Sequence, residues 1–228
     1  MSPLLERARE TLKIEIAGLE GLIERLGSDF EEAVNLLFTC QGKVILAGMG
    51  KSGLIAQKIA ATLTSTGTPS LFLHAGESSH GDLGIITRQD VVIVFSYSGE
   101  TSEVVQMIGH IHAIGVPLIA MTGKPNSTLA KAATVHLSIA VEKEACPLGL
   151  TPTASSTATL ALGDALAMCL LELRKFREDD FAMFHPGGSL GRKLTIKIKD
   201  VMVAGDSLPV VPENMPMREA LNVLSSKN

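Results

Sequence analysis

Several short segments concentrate residues able to bind or move charge. The first is Gly48-Met49-Gly50-Lys51-Ser52-Gly53. It matches GxGxxG, the dinucleotide fingerprint. Two features oppose a dinucleotide: the next apolar run ends Leu73-His74-Ala75, with no acid for a ribose hydroxyl, and a lysine sits inside the loop. A P-loop would need glycine at position 45, which is Ile45. What remains is a turn at a helix start that includes Gly50 and offers backbone N–H groups, the Lys51 ammonium and the Ser52 hydroxyl. That set suits a phosphate or another anion. A structural turn with a solvated lysine is the other reading.

The second segment is Ser96-Tyr97-Ser98-Gly99-Glu100-Thr101-Ser102. Hydroxyls at a helix N-terminus, with the unpaired N–H groups there, can hold a phosphate monoester without arginine. One hydroxyl would suffice for an N-cap, so Ser96, Ser98 and Thr101 are candidate phosphate ligands. Glu100 must point away from a bound dianion. Glu103, one turn on, faces either the site or solvent. A third segment, His74 to Asp82, holds two histidines and two acids. Its spacing matches no standard metal motif, so loop hydrogen bonding is the preferred reading and no metal site is assigned. A fourth runs from Glu142 to Thr153 and leads into Ser155, Ser156 and Thr157. A carboxylate leaving a strand end is a candidate general base, although an isolated Glu is usually a surface group. Last, His185 precedes Pro186-Gly187-Gly188, a setting that leans toward function.

These segments need a scaffold, and the chain alternates accordingly. Residues 1–26 read as a helix with a 4-3-4-3 stripe of Leu12, Ile16, Leu19, Ile23 and Leu26. That stripe must bury on the domain or on another subunit. Ser28-Asp29-Phe30-Glu31 reads as a capping box opening a second helix. Short apolar runs at 43–47, 71–73, 91–95, 117–121 and 135–139 predict strands. Helical segments are expected at 54–63, 102–114, near Ser127 and at 155–173. Strands apolar on both faces and alternating with helices predict an α/β fold: a five-stranded parallel sheet covered on both sides, with right-handed crossovers. Ligands then bind at the carboxyl ends of the strands, where the segments above fall. The last stretch, with Pro209, Pro212 and Pro216 before an amphipathic run from Met217 to Leu224, reads as the opening of a second module.

Composition narrows the function. Lys plus Arg is 20 against 24 Asp plus Glu, a net charge of −4, and aromatics are 4% with no Trp. Neither a basic excess nor stacking platforms for nucleic acid are present. With 46% hydrophobic residues in 228, a large core is expected. Cys40, Cys146 and Cys169 form no zinc spacing and read as small buried apolar residues in a reducing cytosol. With no signal peptide expected, and with Ala145 to Gly163 too rich in Thr, Ser and Pro for a membrane span, the chain reads as soluble and cytoplasmic.

The motifs together resemble a known family. Gly48-Met49-Gly50-Lys51-Ser52-Gly53, His80-Gly81-Asp82-Leu83-Gly84, Ser96-Tyr97-Ser98-Gly99-Glu100, Lys143 to Leu150 and His185-Pro186-Gly187-Gly188 are similar to those of the arabinose-5-phosphate isomerases, which are sugar isomerase (SIS) domain proteins. The resemblance covers about residues 1–195 and implies a flavodoxin-like SIS fold. Residues 196–228, with Asp200-Val201-Met202, resemble the start of an incomplete CBS domain. The resemblance further implies interconversion of D-ribulose 5-phosphate and D-arabinose 5-phosphate through an enediol, feeding Kdo and lipopolysaccharide synthesis. It implies a homotetramer, a small-molecule sugar phosphate as partner, and no cofactor. It places Lys51, Glu103, Glu144 and His185 at catalytic positions, with Glu144 preferred over Glu103 as the base. Gly50, Ser52, His80, Ser96, Ser98 and Thr101 are then substrate-binding. Tyr97 departs from the small amide expected there. The competing readings are an isomerase for another sugar phosphate and a non-catalytic phosphosugar sensor; a sensor would be expected to carry a DNA-binding helix pair, which is not evident.

Overall fold

Strands β1 (Val44–Gly48), β3 (Val91–Phe95) and β4 (Leu118–Thr122) are buried at every residue, whereas β2 (Ser70–His74) is buried only at Ser70 and Leu73 and β5 (Val135–Ser138) alternates. Strands covered on both faces belong in the middle of a parallel sheet. The sheet order is β2-β1-β3-β4-β5, all parallel, as the alternation predicts. This is the flavodoxin-like order, whose direction reverses between β1 and β3. The computed structural model describes residues 2–185 and 198–227.

Side chains alternate between two cores. On one face Leu46, Ile93, Phe95, Ile119 and Leu137 pack with Ile59, Leu63, Leu162, Leu166 and Leu170. On the other, Ile45, Ala47, Val92, Val94 and Ala120 pack with Val104, Met107, Ile111 and Leu129. The first set includes helices α3 (Gly50–Ser65) and α6 (Ala154–Leu173); the second draws on α4 (Ser102–Ile114) and α5 (Thr128–Ala132). Gly163 lets α3 and α6 approach closely, because a Cβ there would overlap the Ile59 side chain. Helix α6 is long and apolar enough to cross a membrane, yet Ala158, Leu162, Leu166, Ala167 and Leu170 are spent on this core.

Of two expectations about the first helices, one loses an alternative and the other fails. Helix α1 (Pro3–Glu24) buries Gly18 and Leu22, and Gly18 lies against Val141 and Ala154. The 4-3-4-3 stripe points elsewhere: Leu12, Ile16, Ile23 and Leu26 are exposed. Helix α2 (Ser28–Thr39) starts after Gly27, which occupies the N-cap, and no side chain caps it. Ser28 is already the first helical residue, so the expected capping box does not form.

At the far end of the sheet, buried Asp90 accepts from the Lys43 N–H (2.8 Å), the Lys43 ammonium (2.9 Å) and the Thr87 N–H (2.8 Å). Burial pushes its carboxyl up, but these donors outweigh that and hold it below the usual range. They lock the turn that feeds β3.

The chain divides into units 1–177 and 178–228. The second contains α7 (Glu178–Phe184), a short helix Ile198–Val201 and a helix Met217–Ser226, the last where an amphipathic run is expected. The expected boundary at 195/196 lies outside the described residues, as do Pro186-Gly187-Gly188 and Gly191-Arg192-Lys193.

Candidate active site

The reversal of sheet order sets the loops after β1 and β3 side by side, since Gly48 pairs with Phe95. Open α/β sheets bind ligands at such a crevice. In the β1 loop, Gly48 and Gly53 serve packing: a Cβ on either would sit 3.0–3.1 Å from backbone of the other side of the turn. Gly50 has φ +56° and opens α3. The helix therefore starts four residues earlier than its apolar pattern predicts, with Lys51 and Ser52 in its first turn. Lys51 is exposed and takes part in none of the salt bridges among the described residues. Ser52 is half-buried.

The β3 loop is closed on itself. Ser96 is buried; its hydroxyl accepts from the Gly99 N–H (3.1 Å) and shares a hydrogen bond with the Thr101 hydroxyl (2.9 Å). Ser96 is thus a brace across the turn. Gly99, at φ +67°, abuts Ser127 so closely that no Cβ would fit. Ser98 is exposed and accepts from the Glu100 N–H (3.2 Å); Thr101 is the N-cap of α4. Glu100 turns away, as a bound dianion would require: its Oε1 accepts from the Thr128 N–H (2.7 Å) at the start of α5, and that N–H holds the carboxyl below its usual range. Glu103 accepts from the Ser102 hydroxyl (2.7 Å). Its own N–H and that hydroxyl lower its pKa.

Beyond β5 the chain forms an irregular loop back to α6, and Glu144 ties its far end. Oε2 accepts from the Thr153 N–H (2.7 Å), the Thr153 hydroxyl (2.8 Å) and the Ser155 N–H (3.3 Å); Oε1 accepts from the Ser155 hydroxyl. Partial burial pushes the carboxyl up, but the Ser155 and Thr153 donors prevail and hold it below the usual range. The carboxylate also satisfies orphan N–H groups at the N-terminus of α6, where negative charge is favoured. The sequence signal for this network was Thr153 and Ser155 at the helix start, nine and eleven residues on.

The remaining candidates are more dispersed. His74 to Ile85 is not a plain loop: two 3-10 turns, Ala75–His80 and Asp82–Ile85, are joined at Gly81 with φ +111°. His80 ends the first and is exposed. Among the described residues no group of three or more His, Cys, Asp or Glu is placed to hold a metal ion. His185 closes α7 in the second unit. Its ring stacks on Phe181 (3.9 Å between centroids), and Nδ1 lies 2.9 Å from the Phe181 carbonyl. A carbonyl only accepts, so Nδ1 carries a proton, and in that tautomer Nε2 is the nitrogen with the lone pair.

One group escaped the sequence reading. All three cysteines are free, and all are half-buried rather than buried. Cys146, two residues past Glu144, has its thiol lowered to about 7 by the Thr151 N–H, then by the Leu150 N–H, the Thr151 hydroxyl and the Leu148 N–H. Nothing in a lone Cys-Pro pair announces such a nest.

The SIS domain family matches residues 37–169. The chain belongs to the SIS domain family, the class that this sheet order and these strand-end loops define. Within it, the chain is 51% identical over 223 residues to arabinose 5-phosphate isomerase KdsD of Salmonella typhi, covering 98% of this chain and 68% of that protein. It is 50% identical over 223 residues to arabinose 5-phosphate isomerase KdsD of Pseudomonas aeruginosa, with the same coverage. A solved E. coli CFT073 protein in complex with arabinose 5-phosphate superposes with a TM-score of 0.79 at 42% identity, over 82% of this chain and all of that one.

Proposed function

We propose that the protein interconverts D-ribulose 5-phosphate and D-arabinose 5-phosphate as an aldose–ketose isomerase, supplying Kdo for lipopolysaccharide synthesis in the cytoplasm. The observation that carries the reading is 51% identity along nearly the whole chain to an arabinose 5-phosphate isomerase, joined to a hydroxyl-rich helix N-terminus at the sheet's switch point. The reaction moves a proton between C1 and C2 through an enediol. Such chemistry needs a carboxylate base, an oxygen acid/base and an anchor for the phosphate.

Each role has a residue. Ser98 and Thr101, with the first-turn N–H groups of α4, hold the phosphate, while Ser96 keeps their loop in shape. Gly50 and Ser52 line the neighbouring turn and His80 the rim. Glu144 moves the carbon-bound proton. Its donors keep it ionised at neutral pH, as a base must be, and Oε1 retains a lone pair beyond its single bond to Ser155. The same donors weaken it as a base, so the developing enediolate must be stabilised in compensation. Lys51 supplies that stabilisation. Glu103 orients the sugar hydroxyls, and Nε2 of His185 assists ring opening or shuttles hydroxyl protons. The working form is a homotetramer, supported by the exposed apolar stripe of α1. Residues 196–228 open a CBS domain, in keeping with relatives that extend beyond the length matched here.

The test is a substrate panel of D-ribulose 5-phosphate, a hexulose 6-phosphate and a heptulose 7-phosphate, with products resolved by NMR. Conversion of D-ribulose 5-phosphate alone, giving D-arabinose 5-phosphate, is expected; preference for a longer ketose would overturn the substrate assignment. On the preferred substrate, Ser98→Ala should raise KM about tenfold with kcat changed less than threefold, the mark of lost ground-state binding. An unchanged KM removes Ser98 from the phosphate site.

A further inference from the structure

Tyr97 is the chain's single tyrosine, and there is no tryptophan. It sits between Ser96 and Ser98 in the β3 loop. Its ring does not point into that loop. It lies against Gly123, the residue that follows β4: a Cβ on Gly123 would come within 2.5–2.9 Å of three Tyr97 ring carbons. The Gly123 N–H also donates to the Tyr97 carbonyl (2.9 Å). The phenol oxygen then accepts from the Val141 N–H at 3.4 Å, on the loop that leaves β5. Strands β3 and β5 are two positions apart, about 9.6 Å in the hydrogen-bonding direction. A short side chain cannot cross that gap; tyrosine does, and only because glycine leaves the end of β4 clear.

The peptide that Tyr97 reaches is held on its other side as well. The Ala140 carbonyl, in the same Ala140–Val141 peptide group, accepts from the Arg25 guanidinium (2.6 Å). Val141 is packed against Gly18 of α1. The loop carrying Glu144 is therefore pinned at both ends: at 140–141 by Arg25 and Tyr97, and at 144 by Thr153 and Ser155. Of these clamps, only Tyr97 belongs to the loop that holds Ser96 and Ser98.

We propose that Tyr97 is a positioning residue that couples the phosphate-holding loop after β3 to the Glu144 loop after β5. Its catalytic consequence rests on the isomerase reading above; the mechanical coupling does not. Seating the phosphate at Ser98 fixes the backbone of Tyr97, and through the phenol it fixes the 140–153 segment. Phosphate binding then helps to place the carboxylate that moves the proton, so that binding energy at a remote group is spent on orientation at the reacting carbon.

The experiment compares wild type, Tyr97→Phe, Gly123→Ala and Glu144→Gln. Tyr97→Phe keeps the ring and loses only the phenol, so its Tm should stay within about 2 °C of wild type. With D-ribulose 5-phosphate, kcat should fall about fivefold to tenfold while KM stays within twofold. In a Glu144→Gln background the same change should have no further effect, because the residues act through one loop. Gly123→Ala, which displaces the ring, should reproduce the kcat loss. Amide exchange across residues 140–153 should be several-fold faster in Tyr97→Phe, with β1 and β3 unchanged. In wild type the single tyrosine's emission should respond to inorganic phosphate. Wild-type kcat and unchanged 140–153 exchange in Tyr97→Phe would overturn the proposal, as would a kcat loss undiminished in the Glu144→Gln background. If wild type turns over no D-ribulose 5-phosphate, the isomerase reading falls, and the exchange and emission measurements still decide whether Tyr97 couples the loops.

Discussion

Two carboxylates near the strand ends are held ionised by different means. Glu103 is steadied by its own N–H and the Ser102 hydroxyl. Glu144 is gripped by four donors from two residues at the start of α6. Both pKa values are lowered, so both groups stay deprotonated as pH falls toward the usual carboxylate range. The carboxylates should therefore support activity through weakly acidic pH, with loss of their contribution only below the usual carboxylate range, as a pH–rate profile would show. Glu144→Gln should reduce kcat by about a hundredfold or more, the scale of a lost general base, with circular dichroism unchanged. Glu103→Gln should cost less. The opposite ranking would transfer the base role to Glu103. Cys146 gives a second prediction at this scale. Its thiolate is half formed at about pH 7, so iodoacetamide should label Cys146 faster than Cys40 or Cys169 at neutral pH. The rate should level off above about pH 8, because the thiolate is the nucleophile. Uniform labelling of all three, still rising at about pH 9, would contradict the N–H nest.

At the scale of elements, helix α1 has two apolar faces with different destinations. Gly18 and Leu22 are spent on its own domain, against α6 and the loop after β5. Leu12, Ile16, Leu19, Ile23 and Leu26 keep the 4-3 spacing of a helix–helix seam, and four of the five remain 44–67% exposed. The spacing was legible in the sequence; which face packs inward was not, because glycine carries no apolar signal and Gly18 defines the inward face. Replacing Ile16 and Ile23 together with Glu should leave the secondary structure intact, since neither touches the core. It should reduce the assembly seen by light scattering to a smaller species. A wild-type chain that is monomeric at working concentration would remove the seam as an interface. The capping box fails for a related reason. Ser28 and Glu31 have the right spacing, but Gly27 takes the non-helical N-cap geometry first and Ser28 becomes helical.

For the whole molecule, the order β2-β1-β3-β4-β5 follows from a sequence of five apolar runs and intervening helices, because parallel pairing and surface helices leave few alternatives. The strand limits shift by at most one residue, and α3 starts early because glycine at 48, 50 and 53 lets it begin against β1. The candidate site is legible in the sequence as residue types at strand ends. Its internal wiring is not. The turn of Glu100 toward α5 and the reach of Tyr97 over Gly123 to Val141 join residues 28 and 44 positions apart, which no local pattern encodes; the Ser96 brace and the grip on Glu144 are closer in sequence, but hydroxyls at a helix start read equally well as plain caps. The central claim is that these loops serve proton transfer between C1 and C2 of a phosphorylated pentulose. The most direct test is incubation with D-ribulose 5-phosphate in D2O, followed by NMR. The account predicts D-arabinose 5-phosphate with deuterium at C2; product retaining protium at C2 would keep the isomerase but indicate a shielded proton or a hydride shift, and no product at all would contradict the account.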